Sequence, residues 1–255
     1  MSTYHAFAAV YDLFMGEVDY EGWLRHIFAL WEKFGLQPKT VIDLGCGTGS
    51  IALPLAKAGL DMTGVDLSAE MLAEAEHKAR AEGLSLRWVC QDMTELDLSE
   101  KADCILSLCD SMNYLTEEGQ LQQAFQSVAR HLRPKGLFIF DLNTEYQFRE
   151  VLGQNIFASA EEDAAYIWEN TYDESEKINE YYVSFFIEQE NGLYQRIEEC
   201  HYERAYSMEE IEEGLRVCGL ELAAVYDGYT FAQPGEESQR LLFVVRWKTE
   251  REEHQ

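Results

Sequence analysis

Hydrophobic residues recur along the first part of the chain with the spacing of α-helices. Phe7, Val10, Tyr11 and Phe14 are three and four residues apart, which predicts a first helix that Gly16 ends. A second predicted helix carries an apolar stripe and is followed by Gly35. That stripe consists of Trp23, Ile27, Leu30, Trp31 and Phe34. We expect residues 1–36 to form an N-terminal helical cap.

The pattern changes near residue 40 to short apolar runs that alternate with amphipathic segments. This alternation is typical of a parallel sheet whose strands are joined by helices. The predicted strands are residues 41–44, 62–65, 86–90, 104–108 and 137–140. The predicted helices are residues 49–58, 68–82 and 117–132. We expect residues 37–150 to form the core of an α/β domain.

A block rich in aromatic and β-branched residues follows residue 150. Its three predicted strands are residues 166–172, 178–189 and 193–206, and Asn191-Gly192 is a strong hairpin signal between the last two. Helical spacing returns in residues 208–218, and two further strands are predicted at 220–230 and 241–247. Residues 151–206 should therefore be an antiparallel insertion, after which residues 207–255 return to the main sheet.

The charge of the chain narrows the classes of partner. Its 255 residues include 20 Lys and Arg against 47 Asp and Glu, a formal net charge of −27. Nucleic acids and anionic membranes are bound through basic side chains, so both are disfavoured as partners. No apolar run approaches the length of a membrane span and no leader segment is evident, so we expect a cytoplasmic protein. The six cysteines form no Cys-x-x-Cys pair, which favours reduced thiols and no metal site.

The most specific stretch of the sequence joins the first predicted strand to the helix after it. It reads Asp43-Leu44-Gly45-Cys46-Gly47-Thr48-Gly49-Ser50. Glycines let the backbone approach a ligand closely, and the N–H groups that begin the next helix favour a carboxylate or phosphate. A dinucleotide fingerprint places its third glycine where Ser50 stands, and a phosphate-binding loop needs Gly-Lys-Ser/Thr. The Gly-Lys-Ser/Thr sequence is absent, so the spacing argues against a nicotinamide oxidoreductase and against a phosphate-binding loop.

This glycine loop resembles motif I of the class I S-adenosylmethionine-dependent methyltransferases, and three further blocks resemble that family in the expected order. They surround Asp66 after the second strand, Gln91-Asp92-Met93 after the third, and Leu108-Cys109-Asp110-Ser111 after the fourth. The resemblance implies S-adenosylmethionine as cofactor and makes residues 37–150 its binding core. It also implies a Rossmann-like seven-stranded sheet with flanking helices and an inserted antiparallel β extension.

The resemblance further implies which residues contact the cofactor and the acceptor. The cofactor set is Tyr11, Asp43, Gly45, Cys46, Gly47, Gly49, Asp66, Leu67, Met71, Gln91, Asp92, Met93, Cys109 and Asp110. The acceptor set is Asn113, Tyr114, Asn143 and His201. Simpler roles stay open for four of these residues: Asp66 could begin a helix, Asp92 could cap a turn, Tyr11 could pack in the core, and His201 could pair with a surface acid. No catalytic residue is identified.

The flanking segments are similar to a narrower group. Tyr11-Asp12 before an aromatic helix, and strands inserted after the fifth strand, resemble sugar N-methyltransferases, glycine N-methyltransferase and uncharacterised bacterial methyltransferases. The segment from Asp110 to Tyr114 lacks the Pro-Pro-aromatic motif of enzymes that methylate amino groups of DNA bases. We expect methyl transfer to a small-molecule acceptor, at nitrogen. Methylation of RNA or protein, and cofactor binding without turnover, remain alternatives. The sequence does not indicate an oligomeric state.

Overall fold

The computed structural model describes residues 11–12, 15–16, 18–160, 164–189 and 191–248. The helices are α1 Tyr20–Lys33, α2 Ala52–Lys57, α3 Ala69–Ala81, α4 Gln120–His131 and α5 Met208–Val217. The strands are β1 Thr40–Leu44, β2 Asp61–Asp66, β3 Arg87–Cys90, β4 Ala102–Ser107, β5 Leu132–Asn143, β6 Ile156–Ala160, β7 Ala164–Asp173, β8 Ile178–Glu188, β9 Tyr194–Arg204, β10 Leu220–Asp227 and β11 Arg240–Trp247. Phe7, Val10 and Phe14 of the predicted first helix lie outside the described residues.

Seven strands form one mixed sheet in the order β10-β11-β5-β4-β1-β2-β3. The five strands from β1 to β5 run parallel, and β11 runs antiparallel to both β5 and β10. This confirms the predicted α/β class with its Rossmann-like sheet. The chain reverses its direction of winding between β1 and β4, and such a switch point opens a crevice at the carboxyl ends of the two strands.

Both faces of the main sheet are buried, as the alternation within β1 illustrates. Ile42 and Leu44 belong to the core on one face, while Val41 belongs to the core on the other. The second face is covered by α1, whose Ile27, Leu30 and Trp31 are almost fully buried. Within the described residues, no helix is long and apolar enough to cross a membrane.

The insertion forms a separate antiparallel sheet in the order β6-β7-β8-β9. Its last hairpin pairs Glu188 with Tyr194, and Gly192 at the turn has a φ of 74°. Strand β6, with the sequence Ile-Phe-Ala-Ser-Ala, is a pairing that we did not predict, because a short edge strand with small residues carries little hydrophobic pattern. A π-helical turn at Gln147–Leu152, also unpredicted, packs Phe148 against the insertion.

A buried asparagine helps to hold the insertion at the carboxyl edge of the main sheet. Asn113, in the turn after β4, donates through Nδ2 to the carbonyl oxygens of Asn143 and Arg204, at 3.1 and 2.9 Å. Its Oδ1 accepts from the backbone N–H of Asn143 at 3.0 Å. These bonds hold the ends of β5 and β9 beside the turn, so the inserted sheet lies over the crevice.

Candidate functional site

The glycine loop after β1 depends on backbone conformations that other residues rarely adopt. Gly45, Gly47 and Gly49 have φ values of 71°, 53° and 83°. A Cβ atom on Gly45 would lie 2.6 Å from Ser111, whereas a Cβ atom on Gly47 would have no atom within 4 Å. Gly45 is therefore required by close packing, and Gly47 borders open space.

Asp43 at the end of β1 is buried and incompletely satisfied. Its side chain is 2% exposed, and no hydrogen-bond partner for Oδ2 is found among the described residues. Burial, and secondarily the charge of Asp66, raises the pKa of Asp43 to about 7. A buried carboxylate without a partner is costly, so this atom favours a positively charged or hydrogen-bond-donating ligand.

Asp66 at the end of β2 stabilises the glycine loop through a hydrogen bond. Its Oδ2 accepts from the N–H of Gly47 at 2.8 Å and its Oδ1 accepts from the N–H of Ser68 at 2.9 Å. Ser68 itself caps α3, since its Oγ accepts from the N–H of Met71 at 3.2 Å. The carboxylate therefore does more than begin a helix: each oxygen uses one lone pair on the backbone and retains another for a ligand.

In the turn after β3, some polar side-chain atoms form hydrogen bonds to other residues of the same turn. Asp92 Oδ1 accepts from the N–H and the hydroxyl of Thr94, at 2.8 and 2.7 Å, so Asp92 caps this turn with one oxygen. The side chain of Gln91 bonds to both the N–H and the carbonyl of Asp97. Capping leaves the second oxygen of Asp92 available, so the two predicted roles of this residue are compatible.

The N-terminal element contributes two residues to the site. Asp12 accepts from the hydroxyl of Thr48, within the glycine loop, and from Lys78 of α3, each at 2.5 Å. Tyr11 packs against the cluster of Phe185 and Ile197 in the inserted sheet. Burial raises the pKa of the Tyr11 hydroxyl. Tyr11 therefore joins the two halves of the site and also packs as a core residue would.

One cavity of about 980 Å³ runs from the glycine loop to the inserted sheet. Most of the predicted site residues lie on its wall: Tyr11, Asp43, Gly45, Cys46, Gly47, Asp66, Leu67, Met71, Gln91, Asp92, Met93, Cys109, Asp110, Tyr114, Asn143 and His201. Gly49 and Asn113 do not line it. A Cβ atom on Gly49 would lie 3.1 Å from Trp88 of β3 and 3.3 Å from Leu53 of α2, so this glycine permits close packing of the loop against both elements. The amide of Asn113 is occupied by its hydrogen bonds to the backbone.

The inserted sheet brings a buried acid into the cavity that sequence analysis missed. Glu203 of β9 is 2% exposed, and its Oε2 accepts from the hydroxyl of Tyr181 at 3.0 Å and from Nδ2 of Asn143 at 3.3 Å. His201 shares this face and packs its ring edge against Tyr114, with centroids 5.8 Å apart. Burial lowers the pKa of His201. The alternation from the buried Ile197 was the signal that could have placed both residues inward.

Arg240 of β11 is a second residue that sequence analysis missed. It bonds to Asp110 at 2.7 Å and to the fully buried Asp141 at the end of β5. Cys109 and Asp110 have φ values of 63° and 52°, an uncommon conformation for residues other than glycine. The hydrogen bond from the N–H of Asp110 to Asp141, at 3.0 Å, helps to hold this turn in place.

The charges along the cavity are strongly asymmetric. Among the described residues, Arg240 is the only Lys or Arg that lines the cavity. It already forms ion pairs with two carboxylates. Six carboxylic acids line the same wall: Asp43, Asp66, Glu70, Asp92, Asp110 and Glu203. No group of His, Cys, Asp and Glu suited to hold a metal ion occurs among the described residues. The cavity therefore suits cationic and neutral ligands better than anionic ones.

Comparison with known proteins relates the whole chain to one family. A family model described as a methyltransferase domain matches residues 41–136. A protein of Geobacillus sp. (strain WCH70), provisionally assigned as a methyltransferase, is 35% identical over 245 residues, which cover 96% of this chain and 99% of that protein. An S-adenosylmethionine-dependent methyltransferase from Clostridium acetobutylicum ATCC 824 superposes with a TM-score of 0.88 at 35% identity, with coverage of 97% and 100%.

A more distant solved structure shares the same fold. The sugar N-methyltransferase KedS8 from Streptoalloteichus sp. ATCC 53650 superposes with a TM-score of 0.77 at 22% identity. The superposition covers 94% of this chain and 93% of that one, so it includes both the main sheet and the insertion.

Proposed function

Because the chain belongs to the S-adenosylmethionine-dependent methyltransferases, with the class I fold, we propose that it transfers the methyl group to the nitrogen of a small amine. The observation that carries this proposal is the acid-lined cavity, which is continuous from the glycine loop to the inserted sheet. The acceptor would lie at the end of the cavity that residues of β7, β8 and β9 line.

The residues of the cavity fit the cofactor. S-adenosylmethionine supplies an electrophilic methyl group on a positively charged sulfur. The unpartnered Oδ2 of Asp43 suits the cationic amino acid end, and the open space beside Gly47 leaves room for a close approach. Asp66 retains lone pairs suited to ribose hydroxyl groups, and Asp92 retains an oxygen suited to the adenine amino group.

The shape of the cavity supports a small acceptor. Tyr114, Trp168, Tyr181 and Phe185 line the end next to the insertion, where aromatic side chains can exclude water. A volume of about 980 Å³ lies within the range of small-molecule sites. Since the chain's own residues line both ends of the cavity, their contribution to methyl transfer would be to hold the acceptor nitrogen in line with the methyl group.

The charges of the cavity support nitrogen as the acceptor atom. The positive charge of Arg240 is already offset by Asp110 and Asp141, so it offers little net attraction to a phosphate or carboxylate on the acceptor. An amine, in contrast, matches the surplus of carboxylates, and it becomes a nucleophile once it has lost one proton.

The experiment that tests the proposed function is methyl transfer from isotopically labelled S-adenosylmethionine to separate pools of small amines, small alcohols, RNA and protein. We expect label in the amine pool alone. Label in RNA or protein, or in alcohols, would show that the proposed acceptor is wrong. Tight cofactor binding without label in any pool would support cofactor binding without turnover.

We expect cofactor affinity to depend on pH through Asp43. Its pKa is raised to about 7 in the folded protein, and a bound cation favours the ionised carboxylate. Binding of S-adenosylhomocysteine, which carries an ammonium group, should therefore strengthen as pH rises from about 6 to about 8. The folding stability of the ligand-free protein should change with pH in the opposite direction. The stability that protonated Asp43 contributes is lost as pH rises through about 7.

Calorimetric titration at several pH values measures this dependence, and Asp43→Asn is the matched variant. The variant should bind more weakly at pH 8, and its affinity should change little with pH. An unchanged pH dependence in Asp43→Asn would assign the effect to another group.

A further inference from the structure

Glu203 occupies an unusual position for a carboxylic acid. It lies near the end of β9, is 2% exposed, and forms part of the cavity wall. The two donors that its Oε2 accepts from, the hydroxyl of Tyr181 and the amide of Asn143, are both neutral. Neutral donors orient a carboxyl group but do not compensate its negative charge.

The charged and titratable groups around Glu203 supply no positive charge that is not already paired with another carboxylate. Asp110 lies beside it, and burial together with this second carboxyl group raises the pKa of Glu203 well above its usual range. Tyr114 and His201 also face this part of the cavity, and burial lowers the pKa of His201, which favours its neutral form. Arg240 is held by Asp110 and Asp141. In the ligand-free protein these surroundings therefore favour the neutral, protonated form of Glu203.

A second feature at this end of the cavity also points to a ligand. The indole N–H of Trp168 is buried and has no hydrogen-bond partner among the described residues. Trp168 lines the cavity, and its ring centroid lies 5.4 Å from that of Tyr181, the residue that orients Glu203. Buried donors are normally satisfied, so this N–H is available to an oxygen or a π system of a bound molecule.

We propose that Glu203 binds the amino group of the acceptor and takes up one of its protons, and that Tyr181 and Asn143 position its carboxyl group. This inference rests on the proposed function, and it names the side chain that recognises the amine. An ammonium group brings N–H donors and the positive charge that Glu203 lacks.

The proton transfer between the amine and Glu203 is balanced. An ammonium group that binds to protonated Glu203 displaces one proton to the solvent. Within the complex, R–NH₃⁺ and the carboxylate of Glu203 become R–NH₂ and a carboxylic acid: one N–H bond breaks, one O–H bond forms, and no electrons leave the pair. The amine then carries a free lone pair, which is what nucleophilic attack requires.

The test measures binding to the full chain saturated with S-adenosylhomocysteine, so that no turnover is needed. The probes are benzylamine, benzyl alcohol and benzoate, which share a ring and differ in the polar group. We expect benzylamine to bind at least about tenfold more tightly than the other two, as charge-assisted hydrogen bonds predict. Calorimetry in buffers of different ionisation enthalpy should show release of one proton when benzylamine binds.

The diagnostic variant is Glu203→Gln, and its matched control is Glu199→Gln. Glu199 lies on the same strand and is 8% exposed, but it does not line the cavity. Glu203→Gln should weaken benzylamine binding at least about tenfold and abolish the proton release, while binding of S-adenosylhomocysteine stays unchanged. Glu199→Gln should retain both properties.

A milder variant tests the positioning role if Glu203→Gln fails to fold. Tyr181→Phe removes a hydrogen bond that lowers the pKa of Glu203, so the pH at which benzylamine binding reaches half its maximum should move upward. A profile that does not move would exclude that role for Tyr181.

Three results would overturn the inference. They are equal binding of benzylamine and benzyl alcohol, no binding of benzylamine, and retained proton release in Glu203→Gln. A chain that fails to bind S-adenosylhomocysteine would instead overturn the proposed function, so the two failures are distinguishable.

Discussion

Replacing Arg240 with methionine is expected to lower the free energy of unfolding by about 3–5 kcal/mol at pH 7.5. The guanidinium group bonds to Asp110 and to Asp141, whose side chain is fully buried. Methionine preserves much of the volume but leaves two carboxyl groups without their counter-charge, and an uncompensated buried charge is costly. Chemical denaturation of the ligand-free protein, analysed for both midpoint and slope, measures the loss.

The pH dependence of this loss separates charge from packing. Burial raises the pKa of Asp141 and Arg240 lowers it, so removing Arg240 raises it further. The protonated form then contributes stability that is lost as pH rises, and the defect should be larger at pH 8 than at pH 5. Adding Asp141→Asn to Arg240→Met should restore part of the stability at pH 8. A loss that does not change with pH would mean that packing dominates.

The main sheet could be predicted because its residues carry local patterns that follow from burial on both faces. The run Val41-Ile42-Asp43-Leu44 is apolar except for the acid, and in β1 it lies between two parallel neighbours. Strand β6 lacks such a pattern because it is an exposed edge, and its pairing with β7 depends on where the insertion folds.

The cofactor half of the site could be predicted for the same reason. Gly47 follows β1 and Asp66 is the last residue of β2, and the carboxyl ends of neighbouring parallel strands meet at one edge of the sheet. Their placement on one cavity wall is thus a consequence of topology that a sequence pattern already contains.

The acceptor half could not be predicted in this way. Glu203 meets Asn143 across 60 positions of the chain, and Arg240 meets Asp110 across 130. These contacts depend on how the inserted sheet packs over the main sheet, and no local spacing encodes that packing. Asn113 illustrates the difficulty, because it follows β4 as an acceptor-binding residue would, yet its amide serves the backbone of two distant strands.

We expect Gly47→Ala to weaken the binding of S-adenosylhomocysteine about 10- to 100-fold with little loss of stability. The φ of Gly47 is 53°, which costs an L-residue about 1–2 kcal/mol, and reduced freedom of the unfolded chain offsets part of that cost. A Cβ atom there would meet no protein atom within 4 Å, so the space it enters is that of the ligand. The N–H that Gly47 donates to Asp66 is retained.

Gly83→Ala is the matched control for this variant. Gly83 follows α3 with a φ of 69°, and a Cβ atom there would also have no neighbour within 4 Å, but this residue does not line the cavity. The two variants should therefore lose similar stability in denaturation experiments, while calorimetry detects weakened cofactor binding in Gly47→Ala alone. Equal affinity in both would contradict a cofactor position beside the glycine loop, because the added methyl group would then occupy space that no ligand uses.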